Sequence, residues 1–268
     1  MKKIYILLSL LIGCCINPLP VQAKKKKKEK VITFQPDTLL RALNATTQRI
    51  GMPISDPLRV VPRFANRFSL RKTGIDVSKY QGTIDWDKVA NDNQVGFAYI
   101  KATEGQSLVD NQYMRNMEEC KRLKIPFGAY HFFSTKVSPE DQLNNFLSNV
   151  RLSEHDLIPI VDVEIKGRRT SDQLRDDLAM FCELLTKACG VRPIIYTSYN
   201  FYHTYLMGGR FDQYKIMIAR YHPDEPLLKD GRQHVLWQYT SSGRVDGING
   251  RVDISKYGDG FSLKDLMK

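Results

Sequence analysis

The sequence predicts an α/β barrel that begins near Thr73. Three observations carry that prediction. From Thr73 onward short apolar runs alternate with amphipathic stretches of helical length, the pattern of strands joined by crossover helices in a parallel sheet. Eight strand-like runs fall within about 195 residues, a density that suits closure into a single TIM-like ring rather than an open doubly wound sheet. The turn after the first run reads GIDVSKYQG (74–82), with neither GxGxxG nor a P-loop where an open nucleotide-binding sheet would carry its phosphate turn.

Taken in order, strands are expected near 74–78, 95–102, 126–133, 158–164 and 192–198. Helices are expected between them near 84–92, 110–124, 138–150 and 171–189. The last two of these open on Ser138-Pro139-Glu140 and Thr170-Ser171-Asp172, where a hydroxyl can accept the first free backbone N–H groups and proline or an acid suits the first turn. After the fifth strand the alternation thins to a short helix near 200–207 and strands near 214–220, 234–240 and 250–254. The last three strands therefore lack full helices between them.

The chain before Thr73 is different material. MKKIYILLSLLIGCCINPLPVQA (1–23) sets two lysines before an apolar run and then small and turn-forming residues, which reads as a bacterial export signal too short for a comfortable membrane span. Val21-Gln22-Ala23 suits cleavage to a secreted form, and Leu11-Ile12-Gly13-Cys14 resembles a lipoprotein box with Cys14 as the lipid-bearing residue; both routes stay open. The expected location is the bacterial envelope, as a periplasmic, outer-membrane-anchored or secreted protein. Residues 24–72 read as an irregular arm, with prolines at 36, 53, 57 and 62 and no sustained period.

Charge separates the arm from the barrel. Residues 1–72 hold 15 Lys and Arg against 3 Asp and Glu, whereas residues 73–268 hold 25 against 26. A nucleic-acid-binding barrel would want the basic excess on the folded module, so that class of partner is not expected. The excess lies instead in KKKKKEK (24–30) and the arginines that follow it. It reads as a solvated tether, or as a segment drawn to an anionic membrane or cell-wall surface at about 1 kcal/mol per basic residue near a membrane. Cys120, Cys182 and Cys189 show no metal-ligand spacing and read as buried thiols, and a monomer is expected.

The stretch IPIVDVE (158–164) carries the chemistry. Along a barrel strand side chains alternate between the interior and the helix layer, and inward residues at strand ends form the site. Ile158 and Ile160 then fill the interior, Val161 and Val163 face the helices, and Asp162 and Glu164 point together into the mouth. Their Cα atoms stand on the order of 6–7 Å apart by strand rise. Two like charges in a partly desolvated cleft keep one member protonated near neutral pH, as a general acid must be. Asp76 in the first strand and Asp253 in the last, which are neighbours once the barrel closes, bring the count at the mouth to four carboxylates.

Other chemistries fit less well. Clustered acids suit a hard metal ion, yet no HxH or HExxH accompanies them, and no metal or other cofactor is expected. There is no GxSxG elbow, and no cysteine is set beside a histidine partner. Aromatic residues at or near strand ends, Tyr80, Tyr99, Tyr130, Tyr196, Trp237 and Tyr239, are what a sugar-binding cleft would use, although core packing accounts for each one singly.

Seven ordered segments, GIDVSKYQG (74–82), FAYIKATEG (97–105), GAYHFF (128–133), PIVDVE (159–164), IIYTS (194–198), LWQYTSSG (236–243) and VDIS (252–255), resemble the lysozyme-type muramidases of glycoside hydrolase family 25. The resemblance covers about Thr73 to Tyr257 and implies a barrel of the (β/α)5(β)3 type acting on the glycan strands of peptidoglycan. It implies Glu164 as proton donor to the glycosidic oxygen, Asp162 as its partner, and Asp76 and Asp253 as supporting carboxylates. It implies groove positions for Lys101, Glu104, Tyr130, Tyr196, Trp237 and Gln238. The arm lies outside it, and Ser255 stands where many relatives carry Asn. A substrate-assisted path suits two acids on one side of the bond, with an inverting path through Asp76 or Asp253 as its rival. A non-catalytic glycan-binding or envelope-assembly protein on the same barrel remains the alternative.

Overall fold

The computed structural model describes residues 68–268, so the export signal, Cys14 and residues 24–67 of the arm lie outside the described residues. Eight strands close into a barrel: β1 (Thr73–Val77), β2 (Val95–Glu104), β4 (Phe127–Phe132), β5 (Ile160–Asp162), β6 (Ile194–Ser198), β7 (Ile216–Ala219), β8 (Leu236–Gly243) and β9 (Val252–Tyr257). A two-residue strand, β3 (Leu108–Val109), folds back antiparallel on the end of β2 and stands outside the ring. The ring closes where β1 pairs with β2 on one side and β9 on the other. Every neighbouring pair in it is parallel except those of β9, which runs antiparallel to both β8 and β1.

The helices follow the sequence pattern closely. They are α1 (Trp86–Asn91), α2 (Tyr113–Leu123), α3 (Pro139–Asn149), α4 (Ser171–Cys189), the short α5 (Tyr199–Phe201) continued by a wider-wound turn over Tyr202–Leu206, and α6 (Leu263–Leu266). The two predicted hydroxyl caps are in place. Ser138 Oγ accepts from Asp141 N at 3.1 Å, and Thr170 and Gln173 exchange a reciprocal pair of bonds at 3.1 and 3.0 Å. Helix α4 ends on Gly190 at φ 74°, the left-handed turn that glycine adopts without strain.

Alternation along each strand divides the apolar residues into two cores. Ile158, Ile160, Ile194, Tyr196, Met217 and Leu236 fill the barrel, together with Phe97 and Tyr99. Val161, Val163, Ile195, Ile216 and Ile218 face outward against Leu174, Leu178 and Phe181 of α4. The inner core is closed at its base by Leu263 and Leu266 of α6. Gly74 allows the Phe97 ring inside, since a Cβ at that position would lie 2.2 Å from it.

Three expectations change. The strand expected over 158–164 shortens to Ile160–Asp162, because Ile158 N bonds instead to Leu266 O at 2.8 Å and Pro159 has no N–H to offer. Glu164 therefore lies past the strand end. The last strand reverses direction, which brings its beginning rather than its end to the mouth. Residues 68–72 also belong with the barrel: Phe68 is 1% exposed, and Arg71 Nη1 donates to Val95 O at 2.7 Å and Ala90 O at 3.3 Å. Cys120 and Cys182 are buried thiols, while Cys189 is half-buried.

Candidate active site

Three strands deliver the four carboxylates to one pocket of about 220 Å³ at the barrel mouth. Ile160, Asp162 and Glu164 line it in alternation, while Val161 and Val163 between them are fully buried in the outer core. Asp162 is 7% exposed and Glu164 is open to solvent, so the pair spans the boundary between core and cleft. Asp76 enters from β1. Asp253, the second residue of β9, stands directly opposite Asp76 in the antiparallel register. In each of these strands the flanking residues, Ile75 and Val77 or Val252 and Ile254, belong to the outer core, which fixes the carboxylates inward.

Burial sets the electrostatics. The Asp162 carboxyl is pushed well above the usual range, first by desolvation and then by the Glu164 charge beside it. Its Oδ1 is buried and makes no hydrogen bond among the described residues. Asp76 is pushed up to about 7 by burial and by Asp253, against the opposing pull of two hydrogen bonds. Those bonds come from Ser255 Oγ at 2.9 Å and Gln238 Nε2 at 3.1 Å, and both end on Asp76 Oδ2. Asp253 is pushed up to about 6 by burial and by Glu164. Tyr130 and Tyr196 are held far above the ordinary phenol range by burial, so both hydroxyls stay protonated and can donate.

The arrangement has the parts that acid-catalysed cleavage of a glycosidic bond requires: a solvent-reachable carboxyl, a buried partner carboxyl and a supporting acid pair within one cleft. The sequence model of glycosyl hydrolases family 25 matches residues 75–248. The chain belongs to glycosyl hydrolases family 25. It is 40% identical over 205 residues to the uncharacterized protein YegX of Escherichia coli K12, covering 74% of this chain and 75% of that one. It is 30% identical over 198 residues to lysozyme M1 of Streptomyces globisporus, covering 69% and 67%. Among solved structures, a family 25 glycosyl hydrolase from Bacillus anthracis superimposes with a TM-score of 0.64 at 32% identity, over 70% of this chain and 88% of that one. The protein is thus a glycoside hydrolase of the lysozyme type, as the ordered motifs imply.

Within this family 25 barrel the remaining sequence-derived positions divide. Tyr130, Tyr196, Lys101 and Gln238 line the pocket. Lys101 is 8% exposed, lies 4.9 Å from the Phe132 ring centroid and pairs with Glu104 at 2.7 Å. Glu104 reaches the site through that ion pair and does not line the pocket. Trp237 is placed elsewhere: it is 1% exposed, donates from Nε1 to Arg220 O at 2.8 Å and lies beneath Lys256, 4.4 Å from the ring centroid. Adjacent strand residues face opposite ways, so with Gln238 inward Trp237 must face outward.

Several residues gain a place that sequence reasoning did not give them. Ser255 donates to Asp76, as described. Tyr221, 58% exposed beyond β7, donates from its hydroxyl to Gln238 Oε1 at 3.0 Å. Ser78 and Gln81 form a capping box that presents the 80%-exposed Tyr80 at the rim of the pocket. The Ser-x-x-Gln spacing was a readable signal for that turn. The loop carrying Glu164 is latched to its neighbour where Arg169 Nε donates to Thr135 O at 3.1 Å, and the Cβ of any residue replacing Gly167 would lie 2.7 Å from Thr135 Oγ1. No three His, Cys, Asp or Glu among the described residues are grouped as metal ligands would be.

Proposed function

We propose that this protein is an N-acetylmuramidase that hydrolyses the β-1,4 bond between N-acetylmuramic acid and N-acetylglucosamine in peptidoglycan, by a substrate-assisted path. The observation that carries the reading is the unbonded Oδ1 of Asp162, a buried acceptor one strand step below a solvent-reachable carboxyl. A buried acceptor left without a donor is costly, and the N–H of a sugar's 2-acetamido group is a donor suited to it.

The chemistry follows from the pair. Two carboxyls this close retain a proton between them, and that proton belongs to the pair rather than to either member. With the cleft empty, burial and the Glu164 charge favour it on Asp162. When the acetamido N–H donates to Asp162 it favours the ionised form there, and the proton moves to Glu164, where the leaving oxygen needs it. Ionised Asp162 then polarises the N–H as the acetamido oxygen attacks the anomeric carbon, and its charge stabilises the oxazolinium-like intermediate. Glu164 gives its proton to the departing sugar and afterwards takes one from the water that opens the intermediate. Asp76 and Asp253 form the floor on which the sugar and that water are oriented.

A second reading keeps the same residues in an inverting path. Asp253 lines the pocket on another strand, and a carboxylate across the cleft from an acid is what activates water in inverting enzymes. Cell-wall glycan is an extracytoplasmic substrate, so the reading requires export and gives the first 23 residues their purpose. Among the described residues no helix is long and apolar enough to cross a membrane. Incubation with purified sacculi tests the activity: new reducing ends should be N-acetylmuramic acid. Reducing N-acetylglucosamine would assign a different bond, and binding without any new reducing end would favour a non-catalytic role.

A further inference from the structure

Tyr221 is open to solvent, yet its hydroxyl is bonded to a side chain almost out of contact with it. Gln238 is 2% exposed, and its Oε1 accepts from Tyr221 at 3.0 Å and from Tyr196 at 2.9 Å. An amide oxygen offers two lone pairs, and here both are filled. The amide is thereby held with its NH₂ group toward Asp76, and Nε2 donates to Asp76 Oδ2 at 3.1 Å. Turned the other way, it would set a carbonyl oxygen against a carboxylate and leave both hydroxyls to find other acceptors.

We propose that Tyr221 is a positioning residue: from the solvent side it fixes the amide of Gln238 and so holds in place the hydrogen bond that Gln238 gives to Asp76. Tyr196 supplies the inner half of the same clamp from the pocket wall. The outer half differs in being exposed, so a glycan lying across the mouth covers the Tyr221 ring and shields its hydroxyl from competing water. A hydrogen bond in a drier setting is stronger. Occupancy of the rim is in this way transmitted, through one amide, to the Asp76 carboxyl.

The sign of the effect on Asp76 does not depend on its catalytic role. The groups that face Asp76 are Asp253 and Ser255 from β9, Asp162 from β5, Tyr99 from β2 and Tyr130 from β4, with Gln238 and its two tyrosines. Replacing Tyr221 by Phe removes one of these hydroxyls, leaves the others in place and frees the amide to turn. Asp76 then loses part of a donor that favours its charged form, and it titrates at higher pH. Whichever limb of the pH–rate profile Asp76 governs moves up with it.

The test uses the full chain and has two arms. Carboxyl ¹³C NMR titration of Asp76 in wild type, Tyr221→Phe and Tyr196→Phe should show both variants shifted to higher pH, on the order of half a unit each. On peptidoglycan, Tyr221→Phe should keep KM within about twofold while kcat falls roughly three- to tenfold, since the aromatic ring is retained and only its hydroxyl is lost. An Asp76 titration identical in wild type and Tyr221→Phe would overturn the inference, even if the variant melts at a lower temperature. The kinetic arm rests on the muramidase reading and the titration does not. A wild type that cleaves no peptidoglycan would sink that reading and still leave the clamp to be decided by NMR.

Discussion

Asp76 and Asp253 face each other across the antiparallel β1–β9 pair, and both carboxyls are pushed up, to about 7 and about 6. The folded protein therefore holds protons at these sites that the unfolded chain has already released above about pH 4. Their contribution to stability is fully present below that pH and is lost as the pH rises through 6 and 7. Wild type should resist urea better at pH 5 than at pH 8. Asp76→Asn should flatten the decline and gain on the order of 2 kcal/mol over wild type at pH 8, a figure discounted because Asp76 is only half-buried. A wild type more stable at pH 8, with the Asn variant running parallel to it, would count against this account of the acid pair.

Glu164→Gln should leave the fold intact and lower hydrolysis by roughly 10²–10⁴, the usual worth of a general acid. Its position past the strand end and open to solvent makes a folding defect unexpected. Circular dichroism and turnover measured on the same preparation separate the two effects. Activity within a few-fold of wild type would remove Glu164 from the role.

Asp162→Asn should cut kcat by orders of magnitude with a modest change in KM, because the amide still offers an oxygen to the acetamido N–H but no negative charge to the intermediate. Wild type should barely process a substrate whose acetamido is replaced by hydroxyl, and the variant should lose little more on it. Equal fractional losses on both substrates would show that Asp162 acts independently of the acetamido group.

Phe68, in the arm as the sequence delimits it, is fully buried. Phe68→Ala should cost about 3 kcal/mol in chemical denaturation, as emptying a fully buried aromatic site does. Deleting residues 24–67 should spare turnover of short soluble fragments and weaken attachment to sacculi at low salt, in proportion to the basic charge removed. Equal binding at every salt concentration would leave the charge without a role in attachment.

What the sequence disclosed, and what it withheld, follows from the range of the forces concerned. The inward setting of Ile158, Ile160, Asp162 and Glu164 was legible because parity along an extended chain is local. The same parity decides between the neighbours Trp237 and Gln238, which cannot both line the groove, and it decides for Gln238. The reversal of β9 was not legible, since a period of two reads the same in either direction and the choice rests on the loop that delivers the strand. Phe68 was hidden among prolines and arginines, where one aromatic has no pattern to join. Tyr221 and Ser255 act through single hydrogen bonds to residues 17 and 179 positions away, and no periodicity records such contacts.

The central claim, that the substrate's acetamido group attacks while Asp162 and Glu164 act from one side, is tested most directly by the anomer first released. A defined oligosaccharide of alternating N-acetylglucosamine and N-acetylmuramic acid, cleaved in the NMR tube, should show the β-anomer of the new reducing end before mutarotation sets in. Initial release of the α-anomer would contradict the substrate-assisted path and assign the water-activating role to a carboxylate across the cleft.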